Sequence, residues 1–184
     1  MKKTVKMPNL YSERLLLRKL KRSDYKDAFA YFSNPNVPVF LLWDAHPDIK
    51  YTKRYLRYVV SKYKTGEYTD WAVVLKSSGK VIGTCGYTSI DLNNFKAEIG
   101  YVLNEKYWNM GYATEAVKTV VAYSFETLKF KRLDARVMEG NLNSVKLLEK
   151  CGFKYEGTGV SELFVKGEFK NIMHFALTNE KEDT

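Results

Sequence analysis

The chain has 184 residues, 45% of them hydrophobic and 28% charged, a composition typical of a globular domain with its own apolar core. No run approaches the roughly 18 apolar residues of a membrane-spanning helix, so we expect no membrane partner. The net charge of +9 favours polyanions such as RNA, a ribosome or a phosphorylated cofactor as partners. A solvated lysine-rich surface explains that charge equally well.

Cysteine and histidine usage argues against a metal centre. Cys85 and Cys151 are the two cysteines, far apart in sequence, and the two histidines are not beside them. That spacing does not suit a zinc site, and lone thiols suit a reducing compartment. The N-terminal MKKTVKMPNL has no apolar segment of signal-peptide type. We therefore expect a cytoplasmic protein without a metal, built as one domain over residues 1–184 with a frayed tail at 179–184.

The first third of the chain predicts one strand, two helices and a loop. Leucine density indicates the strand, and apolar residues at helical spacing indicate both helices. The basic face of the second helix suits either RNA or solvent, and solvent is the simpler interpretation. In order, these elements are a strand at Tyr11–Leu20, a helix after Ser23, an apolar loop at Pro38–Pro47 and a helix over 48–64.

The rest of the chain predicts a mixed sheet. Three consecutive strands joined by short turns indicate an antiparallel meander, and a strand reached through a helix is expected to run parallel to its predecessor. A short helix and a final hairpin follow. The strands are Trp71–Lys76, Val81–Ile90, Phe95–Leu103, Leu133–Met138, Phe153–Gly159 and Phe169–Thr178, with the short helix at Asn141–Cys151. This order predicts an α+β (mixed α/β) fold.

The turn Lys106–Ala116, KYWNMGYATEA, stands between the last strand of the meander and a long amphipathic helix. Such a junction presents unpaired backbone N–H groups and the positive end of a helix dipole, which suit a phosphate. The dinucleotide fingerprint GxGxxG and the P-loop GxxxxGK[ST] are both absent. One glycine before a helix is a weak signal by itself, so the turn alone predicts an anion site of unspecified ligand.

Five sequence segments, one of them this turn, together indicate a resemblance to a known family. They are ERLLLR near the N-terminus, AEIGYVL (Ala97–Leu103), YWNMGYATEA, NLNSVKLLEKCGF (Asn141–Phe153) and YEG (Tyr155–Gly157). With these the chain resembles, almost end to end, the GNAT superfamily of acetyl-CoA-dependent N-acetyltransferases. Within it, the chain is most similar to the branch that contains the ribosomal-protein N-terminal (alanine and serine) acetyltransferases.

The resemblance implies a mostly antiparallel sheet of about six to seven strands, splayed at a bulged central strand and flanked by about four helices. Acetyl-CoA would enter the gap, its pantetheine on the backbone of Tyr101–Leu103, where we place the bulge, and its pyrophosphate on the turn. The implied cofactor-binding residues are Tyr101, Val102, Leu103, Trp108, Asn109, Met110, Gly111, Tyr112, Ala113, Thr114, Asn141 and Ser144.

The resemblance also implies two catalytic residues. Glu98 would take the proton of the acceptor amine, directly or through water, and Ser144 would face the sulfur as donor or proton source. Simpler interpretations stand beside both: a half-exposed carboxylate paired with a lysine, and ordinary helix capping by Asn141 and Ser144. Many relatives carry a tyrosine four residues after the Ser144 position. Here that position is Leu148.

The acceptor is the least determined part of the prediction. Phe40, Trp43 and Tyr87 are the candidates for its pocket. A protein N-terminus, possibly ribosomal, is the first choice, because an α-amine is easier to deprotonate than a lysine. A small-molecule amine such as a polyamine, antibiotic or amino-acid derivative is the alternative. A non-catalytic acyl-CoA-binding or RNA-binding module is the alternative of another class. We expect no sequence-specific nucleic acid binding, and the aromatic content permits a homodimer.

Overall fold

The computed structural model describes residues 5–179. Within them lie eight strands and four α-helices. The strands are β1 (Leu10–Tyr11), β2 (Leu15–Arg18), β3 (Thr69–Leu75), β4 (Val81–Asp91), β5 (Lys96–Leu103), β6 (Arg132–Met138), β7 (Lys154–Val165) and β8 (Glu168–Thr178). The helices are α1 (Tyr25–Phe32), α2 (Ile49–Lys62), α3 (Tyr112–Glu126) and α4 (Leu142–Lys150).

All eight strands form one sheet in the order β1-β2-β3-β4-β5-β6-β8-β7. Neighbours pair antiparallel except β5 and β6, which run parallel because α3 carries the chain back between them. The predicted mixed fold is confirmed, with eight strands where six to seven were expected. The extra strand arises at the N-terminus, where a turn at Ser12 divides the predicted strand Tyr11–Leu20 into β1 and β2.

The sheet splays between β5 and β6. Their pairing covers three residues of each strand, from Lys96–Arg132 to Glu98–Asp134, and then ends. β5 continues to Leu103 beside β4, and β6 continues to Met138 beside β8. The backbone edge of Tyr101–Leu103 therefore faces a gap and not a neighbouring strand.

The bulge lies one strand away from its predicted place. Pairing of β4 with β5 shifts between Tyr87 and Ser89, so Thr88 is the extra residue. Tyr101, Val102 and Leu103 keep a regular register with Cys85, Thr84 and Gly83. The prediction of a bulge at Tyr101–Leu103 was wrong, because the free edge of these residues comes from the divergence of β6.

Helices cover both faces of the sheet, as the alternation along β3 requires. Trp71 and Val73 pack into a core with α3 and α4, whereas Ala72 and Val74 pack into a second core with α1 and α2. The apolar stripe of each helix supplies its side of these cores. The meander is thus packed on both faces, and this packing supports the strand edge at which a ligand could bind.

The predicted helix over 48–64 corresponds to α2, and the short helix predicted at Asn141–Cys151 corresponds to α4. Of the predicted frayed tail, Asn179 donates its backbone N–H to Lys131 O, and the rest lies outside the described residues. Across residues 5–179 no helix is both long and apolar enough to cross a membrane. The same part of the chain contains no group of three or more His, Cys, Asp or Glu side chains placed to hold a metal ion.

Candidate active site

A cavity of about 600 Å³ fills the gap between β5 and β6. Its walls are the free edge of β5, the facing residues of β6, the turn before α3, the start of α4 and the segment 36–42. Clefts at the carboxyl ends of strands, where a sheet changes direction, are where α/β proteins bind ligands. The candidate residues of the sequence analysis can be placed around this cavity.

The turn before α3 has the geometry of an anion site. Gly111 has a φ of 80° and precedes the first helical residue. Glu115 N–H donates to Gly111 O at 3.0 Å in the first turn of the helix, so the N–H groups of Tyr112, Ala113 and Thr114 have no acceptor within it. These groups and the helix dipole fit a phosphate.

A salt bridge that the sequence analysis did not foresee fixes this turn. Glu115 accepts hydrogen bonds from the Arg14 backbone N–H at 2.7 Å, from Arg14 Nε at 2.6 Å and from Ser12 Oγ at 2.7 Å. Arg14 Nη1 also donates to Met110 O at 3.0 Å, and its guanidinium lies 4.4 Å from the centre of the Tyr112 ring. Burial alone would raise the pKa of Glu115, but these hydrogen bonds outweigh it and hold that pKa below its usual range. The N-terminal hairpin thereby positions the anion site.

The predicted cofactor-binding residues divide into two groups. Most of them line the cavity: Tyr101, Val102, Leu103, Trp108, Asn109, Gly111, Ala113, Thr114, Asn141 and Ser144. Met110 and Tyr112 do not, since they face Arg14 as described above. The Trp108 indole N–H donates to Leu103 O at 2.8 Å and so ties the turn to the end of β5. Lys146 and Lys150 of α4, which the sequence analysis did not single out, also line the cavity.

Glu98 lies on β5 with its carboxylate at the cavity. Arg136 of β6 binds both carboxylate oxygens, with Nε 2.8 Å from Oε2 and Nη2 3.1 Å from Oε1. Thr88 Oγ1 donates to Oε1 at 2.6 Å. The carboxylate therefore has the basic partner that the simpler interpretation expected, with an arginine in place of a lysine. To accept a proton, it has to give up part of this pairing.

Ser144 lies in the first turn of α4, and its backbone N–H donates to Asn141 Oδ1 at 3.2 Å. The capping interpretation of Asn141 therefore holds. The Ser144 hydroxyl has a second partner, the Tyr101 hydroxyl at 2.6 Å. Burial raises the pKa of Tyr101, so its phenol stays protonated at neutral pH. The buried Leu148 offers no hydroxyl, but Tyr101 brings one to Ser144 from a different element.

Of the three predicted acceptor-pocket residues, Phe40 lines the cavity and the other two do not. Tyr87 is buried between Trp71 and Phe130, and its hydroxyl is 2.5 Å from Ser124 Oγ. The Tyr87 prediction was wrong because side chains alternate along β4, and it is the next residue, Thr88, that faces the cavity.

Trp43 also lies outside the cavity lining. Its ring packs edge-on against Phe32, with the ring centres 5.3 Å apart, beside His46. The apolar segment that contains it thus divides its side chains between the core and the cavity. The pattern of the segment had no clean period from which that division could be read.

Segment 36–42 closes the cavity from one side, and its first half is anchored at two residues. At one end Asn36 Nδ2 donates to the Glu105 carboxylate at 3.0 and 3.1 Å, next to the end of β5. Two residues further on, Lys166 Nζ at the β7–β8 turn donates to Pro38 O at 2.7 Å. The segment therefore spans the gap between the two halves of the sheet as a preformed wall.

Neither cysteine has the setting of a nucleophile. Cys85 is buried in the core, and burial raises its pKa. The Cys151 thiol lies 3.8 Å from Thr114 O, and burial raises its pKa to about 11. Both thiols stay protonated at neutral pH, whereas a nucleophilic cysteine needs its thiolate. Neither cysteine is therefore a candidate nucleophile of this site.

Comparisons with known proteins agree with this geometry. Residues 14–154 match the family described as the acetyltransferase (GNAT) domain. The chain is 33% identical over 171 residues to the uncharacterized N-acetyltransferase p20 of Bacillus licheniformis, covering 93% of this chain and 96% of the relative. The chain therefore belongs to the GNAT acetyltransferase family, and it is an acetyl-CoA-dependent N-acyltransferase.

Two solved structures illustrate the range of this fold. The ribosomal-protein-S5-alanine acetyltransferase of Vibrio fischeri is 23% identical, with a TM-score of 0.79 and coverage of 96% of this chain and 100% of that one. The spermidine N-acetyltransferase of Vibrio cholerae, solved with CoA and spermine, is 20% identical, with a TM-score of 0.78 and coverage of 92% and 98%. Proteins of this fold thus include enzymes for a protein amine and for a polyamine.

Proposed function

We propose that this N-acetyltransferase acts on the α-amine of a protein N-terminus. The observation that carries the proposal is the state of Glu98, the one carboxylate that lines the cavity among residues 5–179, which Arg136 binds through both oxygens. Within the described part of the chain, the site therefore offers a single carboxylate as a base, and that carboxylate has to give up part of its contact with Arg136 before it can accept a proton. An α-amine has a pKa near 7.8 and a lysine amine near 10.4, a difference of roughly 3.5 kcal/mol in the cost of deprotonation.

The residues of the site fit acetyl-CoA, which supplies the acetyl group as a thioester. The N–H groups at the start of α3 suit its pyrophosphate, and the free backbone edge of Tyr101–Leu103 suits the amide-bearing pantetheine. Lys146 and Lys150 add positive charge for the remaining phosphate. The pocket thus offers groups that suit the pyrophosphate, the pantetheine and the remaining phosphate of the donor.

Glu98 and Ser144 divide the proton chemistry between them. Glu98 accepts the proton that the acceptor amine loses, directly or through one water, as Arg136 shifts away from it. The Ser144 hydroxyl, oriented by Tyr101, donates a hydrogen bond where negative charge develops on the sulfur. Both residues line the same cavity.

A ribosomal protein is the acceptor that two further observations favour. The chain carries a net charge of +9, which favours proximity to RNA. A ribosomal-protein acetyltransferase is among its structural neighbours. The second candidate, a small-molecule amine, has the support of the spermidine enzyme of the same fold.

A peptide that contains both a free N-terminus and one internal lysine tests the proposal. CoA release is followed with DTNB, and mass spectrometry locates the acetyl group. We expect acetylation of the α-amine alone and no turnover of the same peptide with a blocked N-terminus. Acetylation of the lysine, or turnover confined to polyamines, would replace the proposal with the second candidate. Binding of acetyl-CoA without CoA release on any acceptor would indicate a non-catalytic module.

A further inference from the structure

We infer that the acceptor places an apolar group of side-chain size next to its amine and carries no second positive charge there. This inference rests on the proposed function, because it takes the end of the cavity beyond Glu98 as the acceptor pocket. It goes further by naming the chemistry of the acceptor. Two independent features of that end carry it: its apolar walls and its charges.

The walls beyond Glu98 are apolar. Segment 36–42 faces the strands β6, β7 and β8 across this end of the cavity, and Met138 and Ile172 are buried together beneath Phe40 and Leu163. At the mouth, Leu42 remains 64% exposed although it lines the cavity. An apolar group bound here would cover that surface, and full burial of a leucine-sized side chain favours binding by an amount that corresponds to about 10- to 150-fold.

The pocket is also preformed. The bonds from Asn36 to Glu105 and from Lys166 to Pro38 hold the first half of segment 36–42 against both halves of the sheet, and Phe40 packs against the buried Met138 and Ile172. Because the wall is already in place, the contacts that it offers are not spent on ordering a loop. A preformed apolar wall selects by the size and polarity of the group that fills it.

The charges of the cavity oppose a polycation. Glu98 is the one acidic side chain of the lining within residues 5–179, and the basic Arg136 lies beside it. Arg136 already neutralises Glu98. A polyamine bound here would bring its second ammonium group into an apolar space without a carboxylate, and a buried charge without a partner is strongly disfavoured.

Acidic side chains of the segments around this end already contact other residues. The Asp44 carboxylate, two residues after Leu42, is 87% exposed and lies 3.6 Å from Lys166 Nζ. Glu139 accepts from the Asn171 amide at 2.9 Å, and the Glu162 carboxylate is 2.7 Å from His174 Nε2. Neither is among the residues that line the cavity. A second ammonium group would therefore have to take a carboxylate away from an existing contact.

A peptide series that differs only in its first residue tests the inference. Peptides beginning with Leu, Phe, Ala or Gly are compared with spermidine by DTNB-detected CoA release, and the products are confirmed by mass spectrometry. We expect kcat/KM for the Leu or Phe peptide to exceed that of the Gly peptide by 10- to 100-fold, and spermidine to lie at least 100-fold below the Leu peptide.

Two matched variants test whether the preference for an apolar first residue arises at the mouth of the cavity. Leu42→Ser removes an exposed apolar side chain at the mouth, and Val160→Ser removes one that is 78% exposed on β7 and does not line the cavity. We expect Leu42→Ser to reduce the preference for Leu over Gly at least threefold and Val160→Ser to leave it unchanged. Equal effects of the two variants would contradict the placement of the apolar pocket.

The outcomes separate this inference from the function on which it rests. Turnover of the Gly peptide or of spermidine at a rate equal to that of the Leu peptide would overturn the inference, and N-terminal acetylation would stand if the Gly peptide is the substrate. If acetyl-CoA binds but no peptide of the series is acetylated, the proposed function fails and the inference fails with it.

Discussion

At the residue scale, the central question is how Glu98 can act as a base while Arg136 binds it. The guanidinium contacts both oxygens of the carboxylate, so at least one of these contacts has to open before Glu98 can accept a proton. The same arginine is 46% exposed in its side chain and so has room to move when an ammonium group arrives. Movement of Arg136 is therefore a step that the acceptor amine has to bring about before Glu98 can take its proton.

Glu98→Gln tests the base. The glutamine keeps the size of the side chain and can still accept from Thr88, but it cannot take a proton. We expect kcat for an N-terminal peptide to fall about 100-fold at pH 7. The difference in kcat between Glu98→Gln and the wild type should become smaller as the pH rises past about 7.8, because most of the α-amine is then already deprotonated in solution. The measurement is kcat from pH 6 to 9 at saturating acetyl-CoA.

Glu149→Gln, which changes an exposed carboxylate on α4 outside the cavity lining, is the control and should leave the profile unaltered. A kcat that stays at the wild-type value in Glu98→Gln over the whole pH range would show that another group takes the proton.

Tyr101→Phe tests the second proton-handling feature, the hydroxyl pair of Tyr101 and Ser144. Burial raises the pKa of Tyr101. We therefore expect the Tyr101 hydroxyl to stay protonated and to orient Ser144 through a hydrogen bond, without releasing its own proton. Loss of one neutral hydrogen bond of about 1 kcal/mol corresponds to a fall in kcat of about fivefold. KM for acetyl-CoA should stay within twofold.

Ser144→Ala completes a double-mutant cycle with Tyr101→Phe. If Tyr101 acts through Ser144, the double variant should be no slower than Ser144→Ala alone. Multiplicative losses in kcat would mean that the two hydroxyls act separately. An activity that declines above pH 9 in the wild type and not in Tyr101→Phe would instead identify Tyr101 as a titrating acid.

At the scale of elements, the turn before α3 depends on backbone conformation and on a distant anchor. Gly111→Glu should weaken acetyl-CoA binding at least tenfold, because it adds a side chain at a φ of 80° and a negative charge where phosphate is expected. Gly79→Glu is the matched control. It has a φ of 70° in the β3–β4 turn, and a Cβ there meets nothing within 4 Å.

Calorimetric titration with acetyl-CoA and thermal unfolding measure the two variants side by side. Both should lose stability of the order of 1 kcal/mol from the left-handed backbone, and only Gly111→Glu should lose affinity. An unchanged Kd in Gly111→Glu would contradict the pyrophosphate position.

The elements also show how far sequence reasoning reaches. Helical periodicity predicted α2 and α3, and the connection through α3 predicted the parallel pairing of β5 with β6. The positions of individual side chains and the ends of the strands were harder to predict. Alternation along β4 places Thr88 and not Tyr87 at the cavity, and β7 continues beyond its predicted end at Gly159 through two register shifts, after Tyr155 and after Gly159.

The candidate site was predictable where its residues share a motif and not where they meet across the fold. The turn from Trp108 to Thr114 is one continuous stretch of sequence, and Asn141 and Ser144 are only three residues apart. Arg14 and Glu115 are 101 residues apart, and Tyr101 and Ser144 are 43 apart. The sequence around each of these residues does not indicate its partner, because side-chain contacts of this kind depend on the register of strands and the packing of helices.

At the scale of the whole molecule, the cleft makes the sheet two units joined by a short seam. β1 to β5 form one unit and β6 to β8 the other, and three residue pairs between Lys96–Glu98 and Arg132–Asp134 connect them within the sheet. Acetyl-CoA lying in the cleft would touch both units at once. Its binding should therefore stabilise the seam as well as the residues that it contacts.

Thermal unfolding with and without CoA tests this view of the molecule. At a CoA concentration 100 times Kd, binding to the folded state alone adds about 2.7 kcal/mol, which for a chain of this length raises Tm by about 5–10 °C. Hydrogen exchange under the same conditions should slow on both sides of the seam, in β6 as well as in β5. Gly111→Glu should lose both effects. If CoA slows hydrogen exchange only in β5 and the start of α3, and β6 exchanges as in the free protein, then the ligand contacts one unit alone. The cleft would in that case still be able to open.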